Sequence, residues 1–299
     1  MKRIVCLILI LGVLTGCGLK QHPKNPEDYS EKNNNKGIEV QKQVTSTVPI
    51  INKNGLILAE RFKAPKGYNR IKASEDSFGG YLRNLALKPY GAKVLYYNGQ
   101  AKNKHGVYEA VIDMDIGKKN LQQCADAIMR LRGEYLYSRG EYDKIHFNLT
   151  NGFRVDYHKW IDGYRVSING NNSSYIKKNK KSNTYNDFRN YMELIFMYAG
   201  TLSLSQELDT VKLKDMEIGD VLIQGGSPGH AVIVVDMAKN DNSDQKLFML
   251  AQSYMPAQDI QILVNPNNDN ISPWYVLKDV DTIRTPEWTF SKNDLKRFK

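Results

Sequence analysis

From residue 219 onward the chain is written in short apolar runs with strand alternation. The runs are "GDVLIQ" (219–224), "GHAVIVVDMA" (229–238), "KLFMLAQSY" (246–254) and "QDIQILVNP" (258–266). In the second run Val232 and Val234 face one way and Ile233 and Val235 the other, and both sets are apolar. A strand of that kind is covered on both faces. Upstream the period changes. Leu121, Cys124, Ala125, Ile128, Leu131 and Tyr135 recur at helical spacing, which predicts a helix over 121–137. A second helix is predicted over 186–208, broken near Gly200. Strands are expected at 91–100, which ends in an Asn-Gly turn, and at 106–117, with two more around the turn Thr150-Asn151-Gly152. The polar stretch 170–183 reads as a solvated loop whose lysines are surface charges or contacts for an anionic polymer. Helices thus come mainly first and sheet last, an α+β layout in one domain over 56–299.

The N-terminus follows a different logic. Lys2 and Arg3 precede an apolar run from Ile4 to Val13, then Leu14-Thr15-Gly16-Cys17. The run is too short to span a bilayer and suits a signal-peptide core. The four residues that follow read as a lipobox. The expectation is a signal peptide over 1–16, a diacylglycerol-modified Cys17 and a polar tether over 17–55. The protein would then be fixed by lipid to the cell envelope, facing away from the cytoplasm, in the outer membrane if the host has two. This changes the reading of the cysteines. The chain has three: Cys6 leaves with the signal, Cys17 takes lipid, and Cys124 remains a lone thiol. It is either an inert core residue or one kept for reactivity. The net charge of +10, on an exported chain, favours anionic envelope polymers or lipid headgroups over nucleic acid.

His230 opens its strand after a turn containing Gly225, Gly226 and Gly229. A cysteine near a helix start, then a Gly-Asp strand (Gly219, Asp220), then Gly-His opening a second strand (Gly229, His230), resembles papain-like cysteine peptidases. The cell-wall peptidase and amidase branch is the nearest, and "CAD" at 124–126 fits it. Over nearly the whole folded part the chain resembles an uncharacterised bacterial lipoprotein family, the domain of unknown function 4846. That likeness rests on "DMDIGKKNLQQCADAIMRLRGEYLY", "FNLTNGFRVDY", "YAGTLSLSQEL", "GHAVIVVDMA" and "LAQSYMPAQDIQIL". The papain-like resemblance implies an antiparallel sheet packed on the cysteine-bearing helix, with an insertion around 144–185. It also implies Cys124 as nucleophile and His230 as base and acid, with a polar residue orienting the ring. Gln252 is the leading candidate for that third role and Gln258 lies nearby, whereas Asp236 sits at the far end of its strand. Gln123, or else Gln122, would supply an oxyanion donor. One requirement turns on the helix start. A nucleophile with a free N–H needs the helix to begin near Gln123, and an N-cap at Asn120 would bury Cys124 inside the first turn.

Other constellations are weaker. Asp113 and Asp115 alternate on one strand, either as a carboxylate pair or as caps for nearby backbone. His22, His105, His146 and His158 lack metal-ligand spacing. No phosphate loop, dinucleotide fingerprint or Gly-x-Ser-x-Gly elbow is present, and no cofactor or metal is expected. The eighteen tyrosines serve either packing or a glycan groove. The leading expectation is an envelope thiol hydrolase of amide or peptide bonds, with peptidoglycan stem peptides as substrate. The alternatives are a non-enzymatic module that binds glycan or a protein partner, and a papain-like lipid acyltransferase or deacylase.

Overall fold

A computed structural model describes residues 49–299; the expected signal peptide, the expected lipidation site Cys17, His22 and most of the expected tether lie outside the described residues. The nine strands of the main sheet are β1 (Tyr68–Arg70), β2 (Tyr108–Val111), β3 (Asp209–Thr210), β4 (Val221–Gln224), β5 (His230–Asn240), β6 (Lys246–Gln252), β7 (Gln261–Leu263), β8 (Tyr275–Leu277) and β9 (Leu295–Arg297). Their spatial order is β2-β7-β6-β5-β4-β9-β3, with β1 added to β5 and β8 to β6. Every pairing is antiparallel.

The alternation in β5 explains the layering. Ala231, Ile233, Val235 and Ala238 join one apolar cluster with Ala125, Ile128 and Leu131. Val232, Val234 and Met237 join a second cluster with Leu222, Phe248, Leu250, Phe290 and Leu295. Each such side chain contributes roughly 1.5–3 kcal/mol when fully buried. The strand is therefore held from both sides, and its first residue is held with it.

The helix α1 (Cys124–Ser138) packs on the first face of β5. It is buried nearly all round, because α2 (Tyr185–Tyr198) covers its other side. Gly133 makes that approach close: a Cβ there would lie 3.1 Å from Met192 Sδ. The chain breaks after α2 and resumes as α3 (Thr201–Glu207), with Gly200 as the cap. The break falls where the sequence places it.

Four expectations change. Residues 91–100 form isolated bridges, Leu95 with Ala101 and Tyr96 with Gln258, rather than a strand; the Asn-Gly turn is present, with Gly99 at φ +82°. Residues 106–117 yield only β2. The supposed loop 170–183 contains the strand Asn172–Lys177, paired with Tyr164–Asn169. Half-buried side chains such as Tyr175 and Ile176 give that polar hairpin its inner face. Finally, packing begins before residue 56. Ile51 bridges Phe62, and the Gly55 carbonyl accepts from Arg61 Nε at 2.9 Å. The region anticipated as an insertion carries two small hairpins separate from the main sheet, His146–Asn148 with Arg154–Asp156 and the one just named.

Candidate active site

The helix begins at Gln123, not at Asn120. The first intrahelical bond runs from Ala127 N–H to the Gln123 carbonyl at 2.9 Å, and Asp126 Oδ2 accepts from the Gln123 N–H at 2.9 Å. Asn120 is used elsewhere: its Oδ1 accepts from Ala257 N–H at 2.8 Å and from Gln123 Nε2 at 3.3 Å. Cys124 is therefore the first helical residue, where a backbone N–H has no partner inside the helix. The same helix end directs its positive dipole at the thiol.

Cys124 and His230 line one cleft of about 520 Å³, together with Gln123, Tyr254, Met255 and Trp288. Cys124 is buried, 9% exposed, and its sulfur reaches its own N–H and those of Ala125 and of Ala231, the residue after His230. No hydrogen bond joins the sulfur to the imidazole among the described residues, and such bonds are often long before substrate arrives.

The imidazole is fixed from behind. His230 Nε2 and Gln252 Oε1 are 2.9 Å apart, and Gln252 Nε2 donates to Glu287 Oε2 at 2.6 Å. A carboxylate only accepts, so the amide nitrogen must face Glu287 and the amide oxygen must face histidine. An amide oxygen also only accepts, so Nε2 carries the proton and Nδ1 keeps a bare lone pair. Lys102 Nζ meets Glu287 Oε2 at 2.6 Å with both side chains buried. Three rings surround the imidazole: Tyr254, Trp288 and Phe290, at centroid distances of 4.8, 5.3 and 6.0 Å. Trp288 is itself held by Gln224 Oε1 at 3.0 Å. The glycines of the turn admit α3: a Cβ on Gly229 would lie 2.5 Å from Thr201 Oγ1.

Burial sets the electrostatics. It pushes the Cys124 thiol up to about 11, with the Asp126 carboxyl adding to the rise. It brings His230 down to about 4, against the Gln252 hydrogen bond. The resting pair is thus neutral thiol and neutral imidazole. A papain-like ion pair asks for a lowered thiol pKa; here desolvation exceeds what the helix end and the neighbouring N–H groups supply.

The remaining candidates separate cleanly. Gln252 is on the imidazole. Gln258 is not: it is buried with its Oε1 unpartnered and its backbone bridged to Tyr96. Asp236 pairs with Arg70 and Arg83, each at 2.6 Å. Asp220, the acid of the Gly-Asp motif, accepts from Arg297 Nε at 2.6 Å and from Glu217 N–H at 2.7 Å, a structural role. Gln123 lines the cleft, while Gln122 is withdrawn, its Oε1 accepting from Arg130 at 3.1 Å. Asp115 caps Gly117 N–H at 2.9 Å. Among the described residues no group of three or more His, Cys, Asp or Glu is placed to hold a metal ion. Sequence reasoning missed Lys102, Tyr254, Glu287 and Trp288. Lys102, Glu287 and Trp288 lie on loops with no periodicity, and Glu287 and Trp288 follow His230 by more than fifty residues. Tyr254 stands two residues after Gln252 in a run that the sequence already marks, and its position there was the one available signal.

No curated protein and no solved structure matches the chain. The family model of the domain of unknown function 4846 matches residues 58–297, from the first described helix to the last strand. Since that span takes in the cleft and the whole of the main sheet, the chain belongs to the domain of unknown function 4846 family.

Proposed function

We propose that the protein is a thiol hydrolase of amide or peptide bonds, with Cys124 as nucleophile, His230 as base and acid, and Gln252 as the group that orients the ring. The observation that carries this reading is the Gln252–His230 bond, which leaves the Nδ1 lone pair as the ring's base in a cleft shared with a helix-tip thiol. In the reaction the thiol proton passes to Nδ1 as sulfur bonds to the carbonyl carbon. The oxyanion takes the Cys124 N–H and the Gln123 side-chain amide. The C–N bond then breaks, and the imidazolium returns its proton to the departing amine. Water then gives a proton to His230 as its oxygen bonds to the acyl carbon, the C–S bond breaks to release the acid, and the imidazolium proton returns to sulfur. Sulfur and ring become oppositely charged together, so their attraction offsets part of the desolvation that keeps the resting pair neutral. Peptidoglycan stem peptides are the proposed substrates, and lipid at Cys17 would hold the enzyme in the envelope beside them. The cleft lining contains no lysine or arginine, so the residues flanking the scissile amide are proposed to be neutral or amino-bearing.

The test is incubation of the chain with purified muropeptides, reading new amines by mass spectrometry. Cleavage should disappear in Cys124→Ala and fall at least a hundredfold in His230→Ala. Buried Cys124 also favours a second reading, a non-enzymatic envelope module in which the thiol fills space. No cleavage, together with a thiol that alkylates only on unfolding, would select that second reading.

A further inference from the structure

The chain carries 42 Lys and Arg against 32 Asp and Glu, yet none of that excess reaches the thiol cleft. Part of it gathers at a larger cleft of about 880 Å³, where β3 and its following loop meet the ends of β5, β6 and β8. Lys212, Lys214, Lys239, Lys246, Lys278 and Lys292 line it, against the carboxylates of Asp244 and Asp279, over a floor that includes Leu213 and Leu277.

Two features set this apart from a solvated basic face. Lys239 and Lys246 are direct partners across the β5–β6 ladder. Like charges so opposed repel, and the one carboxylate that faces both, Asp244, is fully exposed and offsets only part of that repulsion. In addition, Lys212, Lys214 and Lys278 form no ion pair among the described residues. The pairs that do exist are weak: Lys239 with Asp244 at 2.8 Å and Lys292 with Asp281 at 2.7 Å, both carboxylates at exposed positions. We propose that this cleft binds a polyanionic chain, with phosphate or carboxylate groups repeated along it. Six separate point charges suit several anionic groups rather than one, and a concave cleft admits a strand whereas a flat bilayer surface meets only its rim. The inference stands apart from the thiol chemistry and needs none of its residues.

The experiment uses the full-length chain carrying Cys17→Ser, so that no acyl chain contributes, and titrates it into labelled inorganic polyphosphate and labelled poly-glutamate at low and at physiological salt. Binding should weaken steeply with salt. The triple variant Lys212→Glu, Lys214→Glu, Lys278→Glu should bind at least tenfold more weakly with a shallower salt slope, and the Lys→Gln version of the same triple should fall between. A charge-matched control outside the cleft, Lys178→Glu, Lys180→Glu, Lys181→Glu, should stay within twofold. Polyphosphate alone retained identifies phosphate as the recognised group; both polymers retained identifies the repeated charge. Equal weakening by the control overturns the proposal. So does failure of both polymers to bind; capture by phosphatidylglycerol vesicles through the same three lysines would in that case identify a lipid surface as the ligand instead.

Discussion

His230 and Cys124 make the folded state sensitive to pH on opposite sides. The imidazole falls from its ordinary 6.5 to about 4 on folding. Below pH 6.5 the unfolded chain takes up a proton that the folded chain refuses until about pH 4. Stability is therefore lost as pH drops through that window, by about 3 kcal/mol in all. The thiol rises from 9.0 to about 11, so its contribution is complete below pH 9 and is lost as pH climbs from there. Burial raises the Asp126 carboxyl of the same helix end to about 8, which adds stability as pH falls, so the imidazole is read by difference: the gap in urea midpoint between the chain and His230→Gln should shift in favour of the variant from pH 7 to pH 4. The thiol itself should alkylate slowly at pH 7, with its rate still rising above pH 10. Behind the ring, Glu287 and Lys102 are each buried and each other's partner. Glu287→Leu alone leaves a buried cation, and should cost about 3–5 kcal/mol. Adding Lys102→Met should restore much of that loss, so a double-mutant cycle in urea would show strong coupling.

At the scale of elements, the site depends on two chain reversals that must be tight. One is the turn from β4 into β5, where Gln224 and His230 are ladder partners. Its glycines let Thr201 and Ser205 of α3 press against the turn: a Cβ on Gly225 would meet Ser205 Oγ at 2.6 Å. Gly229→Ala places its methyl on backbone oxygens at 2.5 and 2.8 Å as well as on Thr201. It should cost about 1–3 kcal/mol in a thermal melt and loosen the imidazole, seen as faster hydrogen exchange in the 225–230 segment. The other reversal leads into α1. Asn120 was a plausible cap by residue type alone, but its side chain holds the Ala257 N–H, and the helix starts three residues later. That shift leaves the Cys124 N–H without a partner inside the helix, turned to its own sulfur.

For the whole molecule, Asp236 is the staple. It is fully buried, and it draws Arg70 of β1 and Arg83 of the helix Phe78–Arg83 onto β5. Asp236→Ala removes the shared anion from both. It should lower the unfolding free energy by about 3 kcal/mol while leaving Cys124 alkylation in the folded state unchanged, since Asp236 lies six residues along the central strand from His230 and does not line the cleft. Asp220 ties β9 through Arg297 in a similar way. Buried carboxylates thus tie the three-residue strands β1 and β9 to the centre of the sheet in addition to their ladder bonds.

Much of this was legible in the chain. Two-sided apolar alternation marked β5 as central, because a strand covered on both faces has no polar period. Helical spacing found α1 and α2, and the glycine at 200 marked where α2 had to end. Residue types at element starts singled out Cys124 and His230, and a strand end suggested Gln252. What only the tertiary structure decided is which neighbours those residues keep. The N-cap was chosen by Asn120's engagement with a loop at residue 257, and a polar stretch at 172–177 became a strand because a partner lay beside it. The network of Glu287, Lys102 and Trp288 was assembled by loop packing, and the thiol and imidazole stay neutral because of burial. Periodicity is a local property, written in side chains a few residues apart. Desolvation and hydrogen-bond partnership belong to the packed molecule, and both the protonation of Cys124 and His230 and the orientation of the ring were settled there.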